Sequence, residues 1–473
     1  MAFQDFREFL DALRVRGELI DVSRPVSLDL EVAKAMRKSA SVGGPAVVFT
    51  DNGTQFPLVG GVYNSRAKAL IAYEADEDSV MAHILDGLAK RIAPVITEDA
   101  PVHQNVISGD DIDLSILPVP RYSPDDGGPY ITPGIVVSRD PETGIPDIGH
   151  YRFEVIDDHT LSFLAMPNHR FGKHLAKAIA QGARTFHAAL VVGVDPMLAY
   201  TSPIQVPDDT DDYEVAGGLR GAPVELVSCK SIDLHVPAHA EFVLEFEVDF
   251  STTVFEGPLG EYTGYYTPGS MKPIARPLAL TFRDKPYFQA LLTGKPTTEN
   301  HVLKQLAFEA SFLKAMRTTF PTIERVAIPP SGGVNFRVVM AMRPRFTGEA
   351  RSAILTAMGS NVRPKTVVAV DPDIDVQNSE EVEWAIAFRS QPARDVIIVE
   401  DLPGGPLDPT LDESLTPDRR TGSALGIDAT YPFGTAVKIA GEACGPSVAE
   451  HGREFVEVAD VPGWREYDFP ELS

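Results

Sequence analysis

The chain has 473 residues, 44% of them hydrophobic, and a formal net charge of −25 at pH 7. A chain of this length is expected to form two or three domains with sizeable cores. The acidic balance argues against nucleic acid and an anionic membrane as partners, because no basic stretch counters it. No apolar run is long enough to span a bilayer, and the first residues lack the pattern of a signal peptide.

The two cysteines are informative through their spacing. Cys229 and Cys444 lie far apart and match neither a metal-binding pattern nor a disulfide framework. A reducing compartment, the cytoplasm, is therefore the expected location. The sequence contains no internal repeat and no low-complexity block.

The first hundred residues predict a small α/β domain. Apolar residues at helical spacing from Phe3 to Leu13 predict an amphipathic helix that ends at Gly17. Ser27 and Asp29 offer caps for a second helix through Met36. Further predicted elements are strands at 18–22, 46–49 and 57–62 and a helix from Asp78-Ser79 to about 92.

The region from Tyr130 to Thr293 is dominated by strand patterns separated by turn residues. This arrangement predicts a β-barrel or a two-layer sheet, interrupted by one helix at about 169–181. The predicted strands are 131–138, 151–156, 161–165, 188–194, 224–229, 240–250, 278–282 and 287–292.

A long and broadly apolar helix is predicted from Glu299 to Thr318, followed by alternating strands and helices. Such alternation indicates βαβ units and a parallel or mixed sheet. The tail after Asp401 is rich in proline and glycine and is expected to wrap a neighbouring domain or subunit. The predicted elements are strands at 336–342, 366–370 and 396–399 and helices at 348–358 and 379–389.

Two carboxylates, Glu256 and Glu261, flank the segment Gly257-Pro258-Leu259-Gly260. The glycines and the proline predict a turn or a tight loop. Two acids held by a stiff frame are typical of general acid catalysis, in which one carboxylate sets the pKa of the other. The alternative is a solvated acidic turn.

Several other residues have chemically useful side chains, but the sequence pattern does not decide between a functional and a structural role for them. Arg152 ends a segment, starting at Asp147, that is predicted to begin in a turn and run into a strand; it is either a carboxylate anchor or a surface residue. His169 is either a metal ligand or a helix-capping residue. Lys365 opens a strand, where a solvated lysine is the default. A predicted loop contains four acids that suit Mg²⁺ or Mn²⁺, or are simply solvated: Asp208, Asp209, Asp211 and Asp212.

Taken together, these stretches resemble the UbiD family of decarboxylases, which use prenylated FMN. The resemblance covers nearly the whole chain, and the joint order of its pieces is specific although each piece alone is weak. The pieces are YITPG at 130–134, DPETG at 140–144, GHYR at 149–152, PNHR at 167–170, AGGLRG at 216–221, VPAHAE at 236–241, EGPLGE at 256–261, DIDV at 373–376 and GIDAT at 426–430.

The resemblance implies a fold of the α/β class (α+β multidomain) in four parts. These are an N-terminal α/β domain at 1–110, a central split β-barrel of the flavin-reductase type at 111–298, a linker helix at 299–320 and a C-terminal α/β dimerisation domain at 321–473. It also implies a homodimer, with a hexamer as the alternative assembly, and a flavin prenyltransferase that supplies the cofactor.

The chemistry implied by the resemblance rests on the matching trio Arg152, Glu256 and Glu261. The reaction would be the reversible, non-oxidative decarboxylation of an aromatic or heteroaromatic acid through a covalent prenylated-FMN adduct. Arg152 would hold the substrate carboxylate, Glu256 would hold Arg152, and Glu261 would donate the proton that replaces CO₂.

The family's asparagine, histidine and glutamate metal ligands correspond here to Asp147, His169 and Asp212. Two of these depart from the family: aspartate for glutamate shortens the reach by one methylene, and aspartate for asparagine adds a negative charge. The implied ions are Mn²⁺ or Mg²⁺, with K⁺ as a further candidate. Lys365 matches a lysine that contacts the cofactor phosphate, and the remaining cofactor-site candidates are Thr132, Gly149, His150, Asn168, His169 and Ser202.

The substrate candidates are Tyr265, Asn300 and His301, because they follow the acid loop or begin the long helix. Their polar groups favour a furan, pyrrole, indole or phenazine carboxylate or a hydroxybenzoate; His301 is otherwise a helix-start residue without a substrate role. One alternative function is an FMN-dependent reductase on the same scaffold, which would not need the trio. Another is a non-catalytic assembly protein, which predicts an incomplete trio.

Overall fold

The structure, a computed structural model, describes residues 3–204, 206–405, 407–412, 414–416, 419–435, 437–439 and 456–458. Cys444 and most of the tail beyond residue 439 lie outside the described residues. The chain divides into two compact units, the first made of Met1–Lys314, Ile328–Asn335 and Gly405–Asp412 and the second of Ala315–Ala327, Phe336–Gly404 and Glu413–Ser473. The four-part division given above stays a prediction.

The opening helix is confirmed at Phe6–Val15. The Asp5 carboxylate caps it by accepting a hydrogen bond from the Glu8 amide at 2.9 Å, and its apolar face, from Phe6 to Leu13, is buried. The second helix, Glu31–Ser41, starts later than predicted and lacks a side-chain cap, because Leu30 takes a left-handed conformation with φ 67°. The helix Arg66–Tyr73, which Ser65 caps, was not predicted from the sequence.

A four-stranded sheet orders the strands Leu19–Val22, Ala46–Phe49, Leu58–Gly60 and Phe288–Gln289. Its first two strands are parallel, with Leu19 opposite Ala46. The last strand comes from more than two hundred residues further along the chain and pairs in parallel with Leu58–Gly60. Its membership is therefore a tertiary feature that local patterning does not reveal.

A nine-stranded antiparallel sheet curls into a half-barrel, so the predicted fold class is confirmed. Phe153 packs in its core against Phe163 and Phe246, with ring centroids 5.2 and 5.4 Å away. Eight strands follow one path: Tyr130–Ile131, Phe153–Asp157, Thr160–Phe163, Ser270–Phe282, Phe242–Glu256, Thr185–Val192, Ile135–Arg139 and Pro146–His150; the ninth, Asn105–Ser108, pairs with Ser270–Phe282.

The two long strands of this sheet extend beyond the predicted ends. Phe242–Glu256 continues six residues past Phe250 because a bulge, not a turn, separates its halves. Asp249 accepts hydrogen bonds from the Ser251 amide at 2.8 Å and the Thr252 hydroxyl at 2.9 Å within that bulge. The polar residues of the bulge resemble a turn in the sequence. The pairing with the strand Ser270–Phe282 nevertheless resumes after the bulge, and Glu256 is the last residue of its strand.

The segment around Asp212 is a helix, Asp212–Arg220, so the prediction of an acidic loop there was wrong for Asp212. Asp211 caps it by accepting from the Tyr213 amide at 2.8 Å. Gly218 allows close approach to the helix Val80–Ala89, because a Cβ on Gly218 would lie 2.3 Å from the carbonyl oxygen of Gly87. Tertiary packing outweighs the low helix propensity of its two glycines.

Further elements of the first unit are the helices Val80–Ala89, Arg170–Ala180 and Pro196–Thr201, a sheet of His235–Pro237, Glu225–Ser228 and Val95–Ile96, and the pair Leu259–Gly260 and Tyr266–Thr267. The long helix is confirmed at Glu299–Arg317. Short 3-10 helices lie at Pro101–His103, Gly109–Asp111, Leu114–Ile116 and Pro330–Gly332.

The second unit contains the mixed sheet that the strand–helix alternation predicted. Its order is Ile323–Ala327, Arg337–Met342, Thr366–Val370, Thr421–Ala429 and Val396–Pro403, and the three middle strands are parallel. The helices are Glu349–Met358, Ser379–Arg389 and Pro392–Asp395, and Val437–Ile439 pairs with Val456–Val458. Within the part of the chain described here, every helix is too short or too polar to cross a lipid bilayer.

Candidate active site

Three segments bring the trio together in the first unit. Arg152 lies between the strands Pro146–His150 and Phe153–Asp157. The segment that leads to it was predicted to begin in a turn at Asp147, but Asp147 lies in the first of these strands. Glu256 is the last residue of its strand, where alternation turns Phe255 outward and Glu256 inward. Gly257 then adopts φ +92°, which favours glycine and turns the chain toward Glu261.

The guanidinium of Arg152 contacts both carboxylates. Its Nε lies 3.2 Å from Glu256 Oε1 and its Nη2 donates to Glu256 Oε2 at 3.4 Å. Its Nη1 donates to Glu261 Oε1. Glu256 is fully buried, while the side chains of Arg152 and Glu261 retain 9% and 12% exposure. A ligand can therefore reach Arg152 and Glu261, whereas the buried Glu256 can only hold Arg152 in place.

Electrostatics keep Arg152 charged in this setting. Burial by itself disfavours the guanidinium cation, but the negative charges of Glu261 and Glu256 outweigh it and raise the pKa of Arg152. The three side chains together carry one net negative charge in their fully ionised form. A fixed cation flanked by two acids can bind a carboxylate and move a proton beside it.

Glu256 also belongs to a second pair of carboxylates, with Glu154, which was not predicted from the sequence. The Tyr130 hydroxyl is 3.0 Å from Glu154 Oε2 and 3.1 Å from Glu256 Oε1. Glu154 also accepts from the Gly257 amide at 2.7 Å. Burial, followed by the charge of Glu256, raises the pKa of Glu154. The signal available in the sequence was a glutamate between Phe153 and Val155 in a strand.

The three predicted metal ligands are only partly brought together. Asp147 and Asp212 are buried next to each other and beside Arg170, whose Nη1 lies 3.2 Å from Asp147 Oδ1 and 2.7 Å from Asp212 Oδ1. His169 occupies the N-cap position of the helix Arg170–Ala180, but its exposed side chain makes no capping hydrogen bond. Among the residues that the structure describes, no cluster of three acidic, histidine or cysteine side chains is arranged to hold a metal.

The two aspartates nevertheless retain coordinating capacity. Asp147 Oδ2 is buried without a hydrogen-bond partner among the described residues. Burial and the neighbouring Asp212 carboxylate raise the pKa of Asp147, because two like charges oppose each other there. Asp212 Oδ2 accepts from the Ile148 amide at 3.0 Å. Hard oxygen donors of this kind suit Mg²⁺ or Mn²⁺, which would then share them with Arg170.

The predicted cofactor residues fall into separate settings. His150 hydrogen-bonds Ser202 through its Nδ1, and burial with the charge of Lys304 lowers its pKa to about 3, so the imidazole is neutral. The Thr132 hydroxyl is committed to the carbonyl of Leu291 at 2.6 Å. Gly149 shares the strand of His150, and Asn168 is exposed. Lys365 belongs to the second unit, where its Nζ lies 6.0 Å from the Phe336 ring centroid.

The predicted substrate residues differ in availability. Both ring nitrogens of His301 bind protein groups: Nε2 is 2.7 Å from the Tyr262 carbonyl and Nδ1 accepts from the Thr298 amide at 3.1 Å. His301 therefore fixes the loop after Glu261 and offers no free nitrogen. Asn300 is half-buried and Tyr265 is 61% exposed. Lys304, missed from the sequence, lies one turn beyond His301.

Comparisons with known proteins identify the family of the chain. Three models of 3-octaprenyl-4-hydroxybenzoate carboxy-lyase match in order: its N-terminal domain at residues 10–88, its Rift-related domain at 94–296 and its C-terminal domain at 301–429. An uncharacterized protein of Archaeoglobus fulgidus is 31% identical over 453 residues, which cover 91% of this chain and 92% of that protein.

Solved structures resemble the chain over nearly its full length. The UbiD-class enzyme HmfF from Pelotomaculum thermopropionicum in complex with FMN is 30% identical, with a TM-score of 0.87 and coverage of 98% of this chain and 99% of HmfF. An evolved dimeric form of HmfF in complex with prFMN is 29% identical, with a TM-score of 0.84 and the same coverage. The vanillic acid decarboxylase of Sedimentibacter hydroxybenzoicus in open form is 28% identical, with a TM-score of 0.86 and coverage of 98% and 97%. The chain therefore belongs to the UbiD family of carboxy-lyases.

Proposed function

We propose that this protein is a reversible, non-oxidative decarboxylase of an aromatic or heteroaromatic acid that works with prenylated FMN. The observation that carries the proposal is the Arg152 guanidinium held between Glu256 and Glu261, with one acid fully buried and the other partly accessible. The FMN and prFMN complexes of HmfF and the vanillic acid decarboxylase support this reading.

Arg152 binds the carboxylate that leaves as CO₂. Its planar fork matches a carboxylate in two hydrogen bonds, and its raised pKa keeps it cationic at every physiological pH. Glu256 holds the Nε and Nη2 side of that fork from a buried position. The Nη1 side, which Glu261 contacts, is the side that a substrate would share.

Glu261 supplies the proton that replaces CO₂ on the ring carbon. Losing CO₂ from an aromatic ring leaves an electron pair in the ring plane, and prenylated FMN, when bound, supplies the electron sink for it. Glu261 is suited to proton delivery because its carboxylate is partly accessible and Arg152 fixes its direction. In the carboxylation direction the Glu261 carboxylate removes the proton from the ring carbon.

Part of the residue set expected for the cofactor and the ion offers suitable groups. Neutral His150 and Ser202 offer a donor and an acceptor to the polar edge of a flavin, and Gly149, Thr132, Asn168 and His169 are the further candidates of the first unit. The orphaned Asp147 oxygen and the Asp212 carboxylate suit Mn²⁺ or Mg²⁺, with His169 as a third donor and K⁺ as a further ion.

The substrate class is a heteroaromatic acid of the furan, pyrrole, indole or phenazine type, or a hydroxybenzoate. Asn300 is the remaining polar candidate for a ring substituent, because His301 is committed to Tyr262 and Thr298. Tyr265 lies at the exposed end of the loop. We further propose a cytoplasmic homodimer, or a hexamer, whose cofactor comes from a flavin prenyltransferase.

The test is to co-express the chain with a flavin prenyltransferase and to measure the bound flavin by mass spectrometry and absorbance. A prenylated flavin mass is expected, followed by CO₂ release from at least one acid in a panel of furan, pyrrole, indole, phenazine and hydroxybenzoic acids. Glu261→Gln should retain the flavin and lose turnover. Glu247→Gln, on the same strand as Glu256 but paired with an exposed histidine, is the matched control.

Two results would favour other functions. An ordinary FMN mass, with nicotinamide-dependent reduction that survives Glu261→Gln, would indicate an FMN-dependent reductase. Absence of any bound flavin under these conditions would indicate a non-catalytic assembly protein.

A further inference from the structure

Lys304 is a cation without an anionic partner next to the trio. It lies on the helix Glu299–Arg317, and its Nζ is 4.2 Å from the centroid of the Tyr262 ring. Tyr262 directly follows Glu261. Within the described residues, no carboxylate lies within ion-pair distance of Lys304, whose side chain is half-buried. A desolvated ammonium without a carboxylate is costly, which points to a partner that arrives later.

The charge of Lys304 is directed at the active site. Burial lowers its pKa, and the carboxylate of Glu261 acts against that shift. Lys304 in turn contributes to the lowered pKa of His150 and of His301, each after the larger effect of burial. Lys304 is therefore close enough for electrostatic interaction with both the predicted proton donor and the predicted cofactor-site histidine.

Arg152 would contact three carboxylates once a substrate binds, because it already contacts Glu256 and Glu261. Glu256 lies 3.2 Å from Nε and accepts a hydrogen bond from Nη2, and Glu261 accepts a hydrogen bond from Nη1. A substrate carboxylate that binds Arg152 in two hydrogen bonds must compete for the Nη1 side. Glu256 is fully buried and cannot withdraw, so Glu261 is the acid that has to move.

We propose that Lys304 is a positioning residue that receives the Glu261 carboxylate when the substrate carboxylate takes its place on Arg152. This rests on the proposed decarboxylase function. The shift moves Glu261 away from the leaving CO₂ group and keeps it beside a cation, so the acid stays aimed at the ring carbon. It also balances charge, because the trio carries one negative charge that Lys304 neutralises.

Several titratable or charged groups surround Glu261 and Lys304, and they determine which other cation could hold the Glu261 carboxylate. The groups that face Glu261 or Lys304 directly, or through Arg152 or Tyr262, are Arg152, Glu256, Tyr262, Tyr130, Glu154, His150, His169, His301 and Asp408. His150 and His301 are neutral near pH 7 because burial lowers their pKa values to about 3 and about 4. Lys304 is thus the cation best placed to hold Glu261 once Arg152 is occupied.

The first experiment compares Lys304→Met and Lys304→Arg with the wild type, loaded with prenylated FMN, on the panel acid with the highest kcat/KM. Lys304→Met keeps the length and packing of the side chain. We expect kcat to fall at least tenfold with KM nearly unchanged, and the high-pH limb of the rate profile to move up by about one unit, because an acid without its cation deprotonates later. Lys304→Arg should restore most of both, and Lys314→Met, an exposed lysine on the same helix, should change neither.

The second experiment requires no substrate. The melting temperatures of the wild type, Glu261→Gln, Lys304→Met and the double variant form a double-mutant cycle. Because the Glu261 carboxylate attracts Lys304 even before a substrate binds, we expect Lys304→Met to be less favourable for the melting temperature in the wild-type background than in the Glu261→Gln background. Additive effects would overturn the proposal even if the panel reveals no turnover, and they would leave the decarboxylase function itself untouched.

Two further kinetic outcomes would also overturn it. A loss confined to acids that carry a second anionic group would make Lys304 a substrate contact instead of a partner of Glu261. An unchanged kcat and pH profile in Lys304→Met would remove any role in proton delivery. If the loaded wild type turns over no acid, the decarboxylase proposal fails, and the cycle alone decides whether the two residues are coupled.

Discussion

Glu154 and Glu256 lie on either side of the Tyr130 hydroxyl, at 3.0 and 3.1 Å. Tyr130 is directly opposite Glu154 in the antiparallel pair formed by Tyr130–Ile131 and Phe153–Asp157. The hydroxyl, which has one proton to donate, therefore lies between two buried carboxylates, one of which holds Arg152. The contribution of Tyr130 to the position of Glu256 can therefore be tested separately from the trio.

Removing that hydroxyl should destabilise the protein and loosen Arg152. We expect Tyr130→Phe to lower the free energy of unfolding by about 1–3 kcal/mol, because the buried acids lose a hydrogen-bond donor. Urea unfolding measures the change. Tyr73→Phe is the matched control, since the buried Tyr73 hydroxyl has no hydrogen-bond partner among the described residues and should be nearly neutral on removal. Equal costs for the two variants would contradict the shared-hydroxyl role.

The fork of Arg152 should matter more than its charge. Arg152→Lys keeps a cation but cannot hold Glu256 through two nitrogens while binding a substrate carboxylate in two hydrogen bonds. We expect kcat/KM to drop about 100-fold, a loss of roughly 2.7 kcal/mol of transition-state stabilisation. Arg139→Lys is the control, because its partner Asp233 is 94% exposed. Steady-state kinetics with full activity in Arg152→Lys would rule out two-point binding.

Arg170 should be essential for the stability of the folded protein around Asp147 and Asp212, unless a bound metal ion supplies the positive charge in its place. Arg170→Met leaves Asp147 and Asp212 buried without their guanidinium, at a cost of about 3–5 kcal/mol in unfolding free energy. Added Mn²⁺ should recover part of this, because a bound ion stabilises the folded state by mass action. Thermal unfolding with and without Mn²⁺ measures the recovery. A variant insensitive to Mn²⁺ would argue against Asp147 and Asp212 as ligands.

Glu299 should make stability fall as pH rises. Burial raises its pKa from 4.5 to about 7, against the opposing hydrogen bonds from the Leu292 and Tyr63 amides. Between these values the folded state binds the proton more tightly than the unfolded state, so the contribution is complete below pH 4.5 and is lost as pH rises through 7. The slope reaches about 1.4 kcal/mol per pH unit at most.

Chemical unfolding of the wild type and Glu299→Gln between pH 5 and 8 isolates this contribution. Burial raises the pKa of Asp195 to about 6 as well, so only the difference between the two curves reports on Glu299. We expect the variant curve to be flatter across the window. Parallel curves would mean that Glu299 stays ionised throughout.

The sequence by itself determined the local features of this protein. The helical spacing from Phe3 to Leu13 fixed the opening helix, and the strand–helix alternation fixed the elements of the second unit, with Thr366–Val370 and Ser379–Arg389 at the predicted bounds. The glycine at 257 required a turn between the two acids. Such signals act within a few residues, where propensity, periodicity and turn chemistry apply.

Only the tertiary structure decided which distant groups meet. Arg152 contacts Glu256 and Glu261 more than a hundred residues away because strand order and a bulge in Phe242–Glu256 set where each side chain ends. The helix at Asp212 formed because glycine-mediated packing outweighed local propensity, and His301 was withdrawn from substrate binding by the carbonyl of Tyr262. Contacts of this kind depend on sheet register and packing, which no window of sequence contains.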